Sequence, residues 1–139
     1  MGELNLKPQA RCPSLGPAAI RVLIVEDFPR YRQFVYSALT SRRDLQVIAE
    51  VSDGLEAVEK AVELKPDLIL LDIGLPTMNG IEAARRIRAL VPNAKIIFLS
   101  QETSADVVEE ALSTGAQAYV PKAKAGSQLL AAIDSIILE

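Results

Sequence analysis

The sequence predicts an α/β fold, in which a parallel sheet of five strands is packed between helices on both faces. Short apolar runs alternate along the chain with longer segments whose apolar residues recur at helical spacing. The run Leu68–Leu71 lacks polar alternation and lies between chain breakers, which is typical of a strand buried on both faces. The chain has 139 residues, 50% of them hydrophobic, and this is enough for the core of one ordinary domain.

The chain begins with a segment, residues 1–19, that is rich in proline and glycine and shows no periodicity. We expect a flexible extension there, followed by one domain over residues 20–139. The first strand is predicted over Arg21–Val25. The first helix is predicted from Pro29 to Ser41, because proline suits the first helical turn. Its helical spacing rests on Tyr31, Phe34, Val35, Ala38 and Leu39.

The second strand is predicted over Leu45–Val51, and the turn at Gly54 leads into the second helix. Pro66 ends that helix, because proline cannot continue it. The apolar face of the second helix is expected to comprise Leu55, Val58, Ala61, Val62 and Leu64.

The third strand ends at Asp72 and is followed by a tight loop that is rich in glycine and proline. Asn79 is predicted to cap the third helix, which begins near Ile81 and ends before Pro92. The apolar positions of this helix are Ile81, Ala84, Ile87 and Leu90.

The fourth strand is predicted over Lys95–Leu99, and Thr103 or Ser104 is expected to cap the helix that follows. The fifth strand is predicted over Ala116–Val120 and is expected at the sheet edge, since Pro121 cannot donate to a ladder. Apolar positions of the last two helices are Val107, Val108, Ala111 and Leu112, then Leu129, Leu130, Ile133, Ile136 and Ile137.

Composition excludes several classes of function. A net charge of -3 provides no basic footprint for a nucleic acid backbone. The absence of histidine excludes a Ser-His-Asp triad and a histidine metal site. The single cysteine, Cys12, cannot form an internal disulfide, and no leader pattern is evident, so a cytoplasmic location is predicted. No apolar stretch approaches the ~20 residues of a membrane-spanning helix.

Polar residues follow the ends of four different predicted strands. Glu26 and Asp27 follow the first strand, Asp72 the third, Ser100 the fourth and Lys122 the fifth. Because the carboxyl ends of parallel strands meet at one edge, these side chains are expected to converge. Each of them alone has a simpler interpretation as a turn residue, a cap or a surface charge. Their convergence favours a functional site.

Three carboxylates at one edge repel one another, so they raise their proton affinities or recruit a cation. Mg²⁺ is the predicted cation, because it prefers oxygen ligands and keeps several waters. Asp27 and Asp72 are expected as direct ligands, with Glu26 acting through water and Gly74 contributing its carbonyl.

The same cation would draw in a phosphoryl group, for which Asp72 is the predicted acceptor. Lys122 and Ser100 are expected to bind other phosphoryl oxygens. Phosphorylation adds about -1.5 to -2 charges, which should pull both side chains inward and so act as a switch.

From about Arg21 to Ile137 the sequence resembles the receiver domain of two-component response regulators. The residues that carry the resemblance are Glu26, Asp27, the run DIGLPTMNG from Asp72, Ser100, Tyr119 and Lys122. The resemblance implies a flavodoxin-like fold with strand order 2-1-3-4-5. It also implies Mg²⁺-dependent phosphorylation of Asp72 by a sensor histidine kinase or a small acyl phosphate.

The resemblance further implies that Tyr119 swings with Ser100, and that the domain is a signalling switch rather than a turnover enzyme. In this family the surface formed by the fourth helix, fifth strand and fifth helix contacts partners or a second subunit. Here that surface, which would also serve for a homodimer, corresponds to about Thr103–Leu138.

The segments GLEAV, GIEAARRIR and GAQAYV look like the nitrate-response branch, whose members usually carry a helix-turn-helix DNA-binding domain after the receiver. These 139 residues contain no such segment, so transcription regulation is expected only if one follows. Two departures stand out. Pro121 precedes Lys122 and Ala123 follows it, where many receivers have a cis proline. Gln101 is bulkier than the residue common at its position, which bears on access to Asp72.

Three other functions fit the residues less well. A Mg²⁺-dependent aspartyl phosphatase would need a second acid at the position of Gly74. A flavin carrier would need a phosphate-binding loop where Glu26 and Asp27 would repel phosphate. A degenerate receiver used only for interaction would not need the complete set of acids.

Overall fold

The computed structural model describes residues 19–137 and confirms the predicted α/β architecture. Cys12 and nearly all of the predicted extension lie outside this range, as do the last two residues. Five parallel strands form one sheet in the order β2-β1-β3-β4-β5, which confirms the predicted order. In chain order the elements are β1 (Ile20–Val25), α1 (Pro29–Thr40), β2 (Leu45–Val51), α2 (Gly54–Leu64), β3 (Leu68–Leu71), α3 (Gly80–Leu90), β4 (Lys95–Ser100), α4 (Ala105–Leu112), β5 (Ala118–Pro121), a 3-10 turn (Lys122–Lys124) and α5 (Ala125–Ile137).

The strand register aligns the carboxyl ends that carry the candidate site. Val25 pairs with Val51 on one side and with Leu71 on the other, and Ser100 pairs with Pro121. The residues that follow β1, β3, β4 and β5 therefore emerge at the same edge of the sheet. Every peptide bond between residues 19 and 137 is trans, including the bond from Lys122 to Ala123.

The sheet separates two hydrophobic cores. On one face α1 and α5 cover the sheet, and on the other face α2, α3 and α4 cover it. Alternate residues of β3 enter different cores: Ile69 and Leu71 join the core under α2, α3 and α4, while Leu68 and Leu70 join the core under α1 and α5. All four are at most 1% exposed, which confirms that β3 is buried on both faces.

The helix starts agree with the side chains that precede them. Pro29 occupies the first turn of α1, and Asn79 accepts a hydrogen bond from the backbone N–H of Glu82 at 3.0 Å, as predicted. Of the two candidate caps for α4, the structure selects Ser104, which accepts from the N–H of Val107. Asp53 caps α2 in the same way.

The predicted apolar faces of four helices are partly wrong. On α2 and α3 the residues that contact the sheet are mainly small, including Ala57, Ala61, Ala83 and Ala84, which allow the helices to approach closely. Larger residues at the margins of these faces are turned outward. Of the residues predicted on the apolar faces, those that the structure leaves at least 40% exposed are Phe34, Leu55, Val62, Leu90 and Leu112.

The fifth strand begins two residues later than predicted, at Ala118 rather than Ala116. The side chain of Gln117 accepts the N–H of Ile96 at 2.8 Å, so a side chain replaces a backbone carbonyl where the ladder would begin. The strand lies at the sheet edge, as Pro121 predicted. Among the described residues, no helix is both long and apolar enough to cross a membrane.

Candidate functional site

Three carboxylates meet at the carboxyl edge of the sheet. Glu26 and Asp27 follow β1, Asp72 follows β3, and each offers an oxygen within 4.8 Å of the others. Glu26 is 2% exposed and Asp72 is 6% exposed, whereas Asp27 is open to solvent. The ladder continues into the cluster, since the N–H of Asp72 donates to the Val25 carbonyl at 3.1 Å. The predicted convergence of the acids is therefore present.

The Lys122 ammonium enters this cluster from the turn after β5. Its Nζ lies 2.8 Å from Glu26 Oε1 and 3.1 Å from Asp72 Oδ2, and its side chain is 10% exposed. Sequence reasoning assigned Lys122 to a phosphoryl group and missed these carboxylate contacts. With one ammonium against three carboxylates, the cluster keeps an excess of negative charge.

The surroundings of Glu26 and Lys122 determine the direction in which their pKa values shift. Burial raises the pKa of Glu26 above its usual value, although Lys122 and the N–H of Phe28 oppose the rise. Burial alone would lower the pKa of Lys122, but the close contact with the Glu26 carboxylate and the charges of Asp72 and Glu26 outweigh it. The pKa of Lys122 is therefore raised, and the side chain stays cationic.

The donor set fits a hard divalent cation. Glu26 Oε1 is buried and close to Lys122, yet it is not aligned for a hydrogen bond, so a lone pair is left for another partner. The second oxygen of Glu26 accepts the N–H of Phe28 at 3.0 Å, and Asp72 Oδ1 accepts the N–H of Ile73 at 2.7 Å. Carboxylate oxygens with water completing the shell are what Mg²⁺ prefers. Gly74 lies in the exposed part of the loop, and its carbonyl stays a predicted ligand.

The backbone that carries Asp72 is fixed by the start of α3. The N–H of Gly80 donates to the Ile73 carbonyl at 2.8 Å. A Cβ at Gly80 would overlap the carbonyl oxygen of Asp72, so only glycine allows the helix to approach this closely. Thr77 adopts a positive φ of 69° within the same loop. The acceptor candidate thus has a tightly packed backbone.

Ser100 and Tyr119 lie on the other side of the site and are oriented toward the backbone. Ser100 is 2% exposed, and its Oγ accepts the N–H of Glu102 at 3.1 Å. The Tyr119 hydroxyl donates to the carbonyl of Glu102 at 2.6 Å, and its ring packs beside Phe98. Burial raises the pKa of Tyr119. Among residues 19–137, neither hydroxyl makes a direct hydrogen bond to Asp72 or Lys122.

Tyr31 is a site residue that sequence reasoning placed only on a helix face. Its ring centroid lies 4.7 Å from Lys122 Nζ, and its hydroxyl donates to the Lys122 carbonyl at 3.0 Å. Burial, followed by the charges of Glu26 and Asp72, raises the pKa of Tyr31 to about 12. The only sequence signal is its position in the first turn of the helix that follows the acid pair.

A depression of about 340 Å³ opens beside Lys122 and Ser100. Gln101, the departure noted in the sequence, is exposed and contributes to its wall. The other residues that line it are Phe28, Tyr31, Thr103, Pro121 and Ala123. Access to the buried lysine therefore passes between aromatic and small side chains.

Comparison with protein families assigns the chain to a family. Residues 22–134 match the family described as response regulator receiver domain. The response regulator protein VraR of Staphylococcus saprophyticus is 37% identical over 114 residues, which are 82% of this chain and 54% of VraR. The transcriptional regulatory protein LnrK of Bacillus subtilis is 34% identical over 84% of this chain and 53% of its own. The chain thus spans about half the length of both relatives.

A third relative is matched over nearly its full length. The chemotaxis protein CheY of Thermotoga maritima is 39% identical over 116 residues, which are 84% of this chain and 96% of CheY.

Solved structures give the same result. The signal receiver domain of the response regulator NarL from Mycobacterium tuberculosis superposes with a TM-score of 0.78 at 27% identity, over 87% of this chain and 95% of that one. CheY in the CheX-CheY-BeF3-Mg²⁺ complex of Borrelia burgdorferi gives a TM-score of 0.79 at 27% identity, over 88% and 92%. The likeness to NarL agrees with the predicted nitrate-response branch. The family match over residues 22–134 and these relatives together show that the chain belongs to the response regulator receiver domains of two-component systems.

Proposed function

We propose that this domain is a phosphorylation-dependent switch in which Asp72 accepts a phosphoryl group from a sensor histidine kinase or a small acyl phosphate. The observation that carries the proposal is the acid cluster of Glu26, Asp27 and Asp72 with Lys122 inserted into it. A bound Mg²⁺ ion would neutralise the cluster and the incoming phosphoryl oxygens. Glu26, Asp27, Asp72 and the Gly74 carbonyl are the proposed ligands.

The transfer step requires little beyond positioning. An Asp72 carboxylate oxygen attacks phosphorus, so that an O–P bond forms while the P–N bond to the donor histidine breaks. The electron pair of the broken bond stays on the imidazole nitrogen, which takes up a proton. With an acyl phosphate the bond that breaks is P–O, and a carboxylate leaves. The hydrogen bond from Ile73 to Asp72 Oδ1 restricts the carboxylate orientation during attack.

Lys122 and Ser100 then respond to the new charge. The ammonium, 3.1 Å from Asp72 Oδ2, exchanges this carboxylate contact for a phosphoryl oxygen. Ser100 must leave its bond with the N–H of Glu102 to donate to another phosphoryl oxygen. Because Tyr119 bonds to the carbonyl of the same Glu102, the two hydroxyls are joined through one residue. Their movement would carry the signal to α4 and β5.

The test is the intact mass of the protein after incubation with acetyl phosphate and Mg²⁺. We expect the wild type to gain one phosphoryl group, and the gain to disappear with Asp72→Asn or with a chelator in excess over Mg²⁺. An unchanged mass in the folded wild type would contradict the proposal. A gain that persists in Asp72→Asn would place the acceptor elsewhere.

The wider context is part of the same proposal. A sensor histidine kinase is the proposed donor, and a cytoplasmic location is proposed for the domain. The surface formed by α4, β5 and α5 is the proposed contact for a partner or a second copy. Because LnrK is a transcriptional regulatory protein, an output in transcription is proposed for a longer protein that contains this domain. Light scattering before and after phosphorylation tests the homodimer. An unchanged mass in solution would exclude phosphorylation-driven dimerisation.

A further inference from the structure

We propose that Tyr31 is a positioning residue, which holds Lys122 so that its ammonium can pass from Asp72 to a phosphoryl group. The inference rests on the proposed function and extends it to a residue of α1. Two contacts carry it: the Tyr31 ring lies 4.7 Å from Lys122 Nζ, and the Tyr31 hydroxyl donates to the Lys122 carbonyl at 3.0 Å. One side chain therefore restrains both ends of the lysine.

The backbone contact fixes where the lysine side chain starts. Lys122 opens a 3-10 turn directly after β5, and its carbonyl also accepts the N–H of Ala125 at the start of α5. With the hydroxyl of Tyr31 as a second donor, both lone pairs of this carbonyl are used. The turn is thereby tied to α1, although it belongs to the opposite end of the chain.

The ring of Tyr31 restrains the Lys122 ammonium through a cation-π contact, without forming an ion pair. Of the groups placed around Lys122 Nζ, Glu26 and Asp72 are carboxylates that are also proposed to bind the cation, and the third is the Tyr31 ring. Once the cation and a phosphoryl group are bound, the ammonium must release at least its bond to Asp72. An aromatic face attracts an ammonium but competes weakly with a phosphoryl oxygen, so it can guide the exchange without preventing it.

The start of α1, which carries Tyr31, is joined to the acid cluster by its neighbouring residues. The Arg32 guanidinium donates to the Glu26 carbonyl at 3.0 Å, and the N–H of Phe28 donates to the carboxylate of Glu26. These bonds join the first turn of α1 to the end of β1. Tyr31 therefore links the strand end that carries the acids to the turn that carries the lysine.

The experiment compares Tyr31→Leu, which removes ring and hydroxyl, with Tyr31→Phe, which keeps the ring. Tyr36→Leu is the matched control, because Tyr36 lies on the same helix and is 42% exposed. The first readout is the rate at which acetyl phosphate phosphorylates Asp72 at saturating Mg²⁺. The second is the NMR shift of the Lys122 ε-methylene protons, which a nearby ring face moves upfield. Lys122→Arg identifies that resonance, and a thermal melt checks folding of every variant.

We expect Tyr31→Leu to slow phosphorylation by about three- to tenfold and to remove the upfield shift. Tyr31→Phe should retain the shift and recover most of the rate, and Tyr36→Leu should match the wild type in both readouts. A merely structural role would not move the lysine resonance selectively. Wild-type rate and shift in Tyr31→Leu would overturn the inference while leaving the proposed function intact.

Two further outcomes also decide the question. If Tyr31→Leu does not fold, the shift in the wild type and in Tyr31→Phe still tests the contact, and an unshifted Lys122 resonance in both overturns the inference. If the wild type gains no phosphoryl group, the proposed function fails, and the role assigned to Tyr31 fails with it.

Discussion

The candidate site has two halves that differ in how firmly they are held. In the acid half, formed by Glu26, Asp27, Asp72 and Lys122, the ammonium contacts two carboxylates at 2.8 and 3.1 Å. In the hydroxyl half, formed by Ser100 and Tyr119, both side chains are bonded to the backbone of Glu102 instead. In the proposed function the charged groups of the acid half are already in contact, whereas the hydroxyl half would have to change partners to bind a phosphoryl group.

The difference follows from the sheet. The acids extend from β1 and β3, which have a strand on each side and lie between both hydrophobic cores. The hydroxyl half extends from β4 and from β5, and β5 is an edge strand with one neighbour. An edge strand has fewer bonds to break when it shifts. The three acids thus extend from strands that are paired on both sides, whereas Tyr119 and Lys122 depend on the edge strand β5.

The largest expected contrast between the halves comes from Asp27→Asn and Ser100→Ala. Asp27→Asn should weaken Mg²⁺ binding by about tenfold or more, because a ligand charge is lost. Transfer from acetyl phosphate should then fall by about a hundredfold at a fixed, subsaturating Mg²⁺ concentration. Ser100→Ala should leave Mg²⁺ affinity unchanged and slow transfer by about tenfold, since one donor to the developing charge is lost.

Metal titration followed by intact-mass kinetics measures both quantities. Equal Mg²⁺ affinity in the wild type and Asp27→Asn would remove Asp27 from the metal site. A loss of Mg²⁺ affinity in Ser100→Ala would show that the halves are not separable.

The next contrast concerns the backbone of the acid half. Gly80→Ala should lower the free energy of unfolding by about 1–3 kcal/mol, because the new methyl group meets the carbonyl of Asp72. Gly126→Ala is the matched control, since a Cβ there has nothing within 4 Å, and a helical alanine should add about 0.5–1 kcal/mol. Urea denaturation measures both. If Gly80→Ala were as stable as the wild type, the loop would not be held by this contact.

The sequence predicts the fold well because its signals are local. Apolar runs, breakers and caps such as Pro29 and Asn79 each act within a few residues. The helix faces were less predictable, since the angle at which a helix meets the sheet decides which residues are buried. The exposure of Leu55 and Leu90 results from the close approach of alanine-rich faces, which periodicity alone does not reveal.

The contacts of the site also fall into those that the sequence predicts and those that it does not. The convergence of Glu26, Asp27 and Asp72 follows from parallel topology, which places successive strand ends at one edge. The contact between Tyr31 and Lys122 joins positions 91 residues apart on different elements. No spacing rule connects a first-turn tyrosine to a distant lysine, so this contact is visible only in the folded structure. The roles of the site residues in phosphoryl transfer stay predictions.

A change of pH is expected to have a smaller effect on the free energy of unfolding, through Glu26 in the acid half. The raised pKa of Glu26 in the metal-free fold means that the folded state binds this proton more tightly than the unfolded chain. As pH falls from neutral through that pKa, Glu26 should become less unfavourable to the fold. The free energy of unfolding of the wild type should therefore rise relative to Glu26→Gln.

Mg²⁺ affinity should change in the opposite direction, because protonation removes ligand charge. Relative to Glu26→Gln, the wild type should lose affinity as pH falls, by at most about tenfold per pH unit. Calorimetric titrations between neutral pH and the usual Glu range would measure this difference. Parallel pH profiles in the two proteins would exclude Glu26 as the titrating group.

The smallest effect is expected in the hydroxyl half, from Tyr119→Phe. The variant loses the bond from the hydroxyl to the Glu102 carbonyl but keeps the ring beside Phe98, so the free energy of unfolding should fall by about 1 kcal/mol. Phosphorylation by acetyl phosphate should proceed at the wild-type rate, since the acid half is untouched. Tyr36→Phe, on the exposed side of α1, controls for the loss of a hydroxyl. A slower transfer in Tyr119→Phe would mean that the Tyr119 hydroxyl helps to assemble the acid half, and the two halves of the site would not be separable.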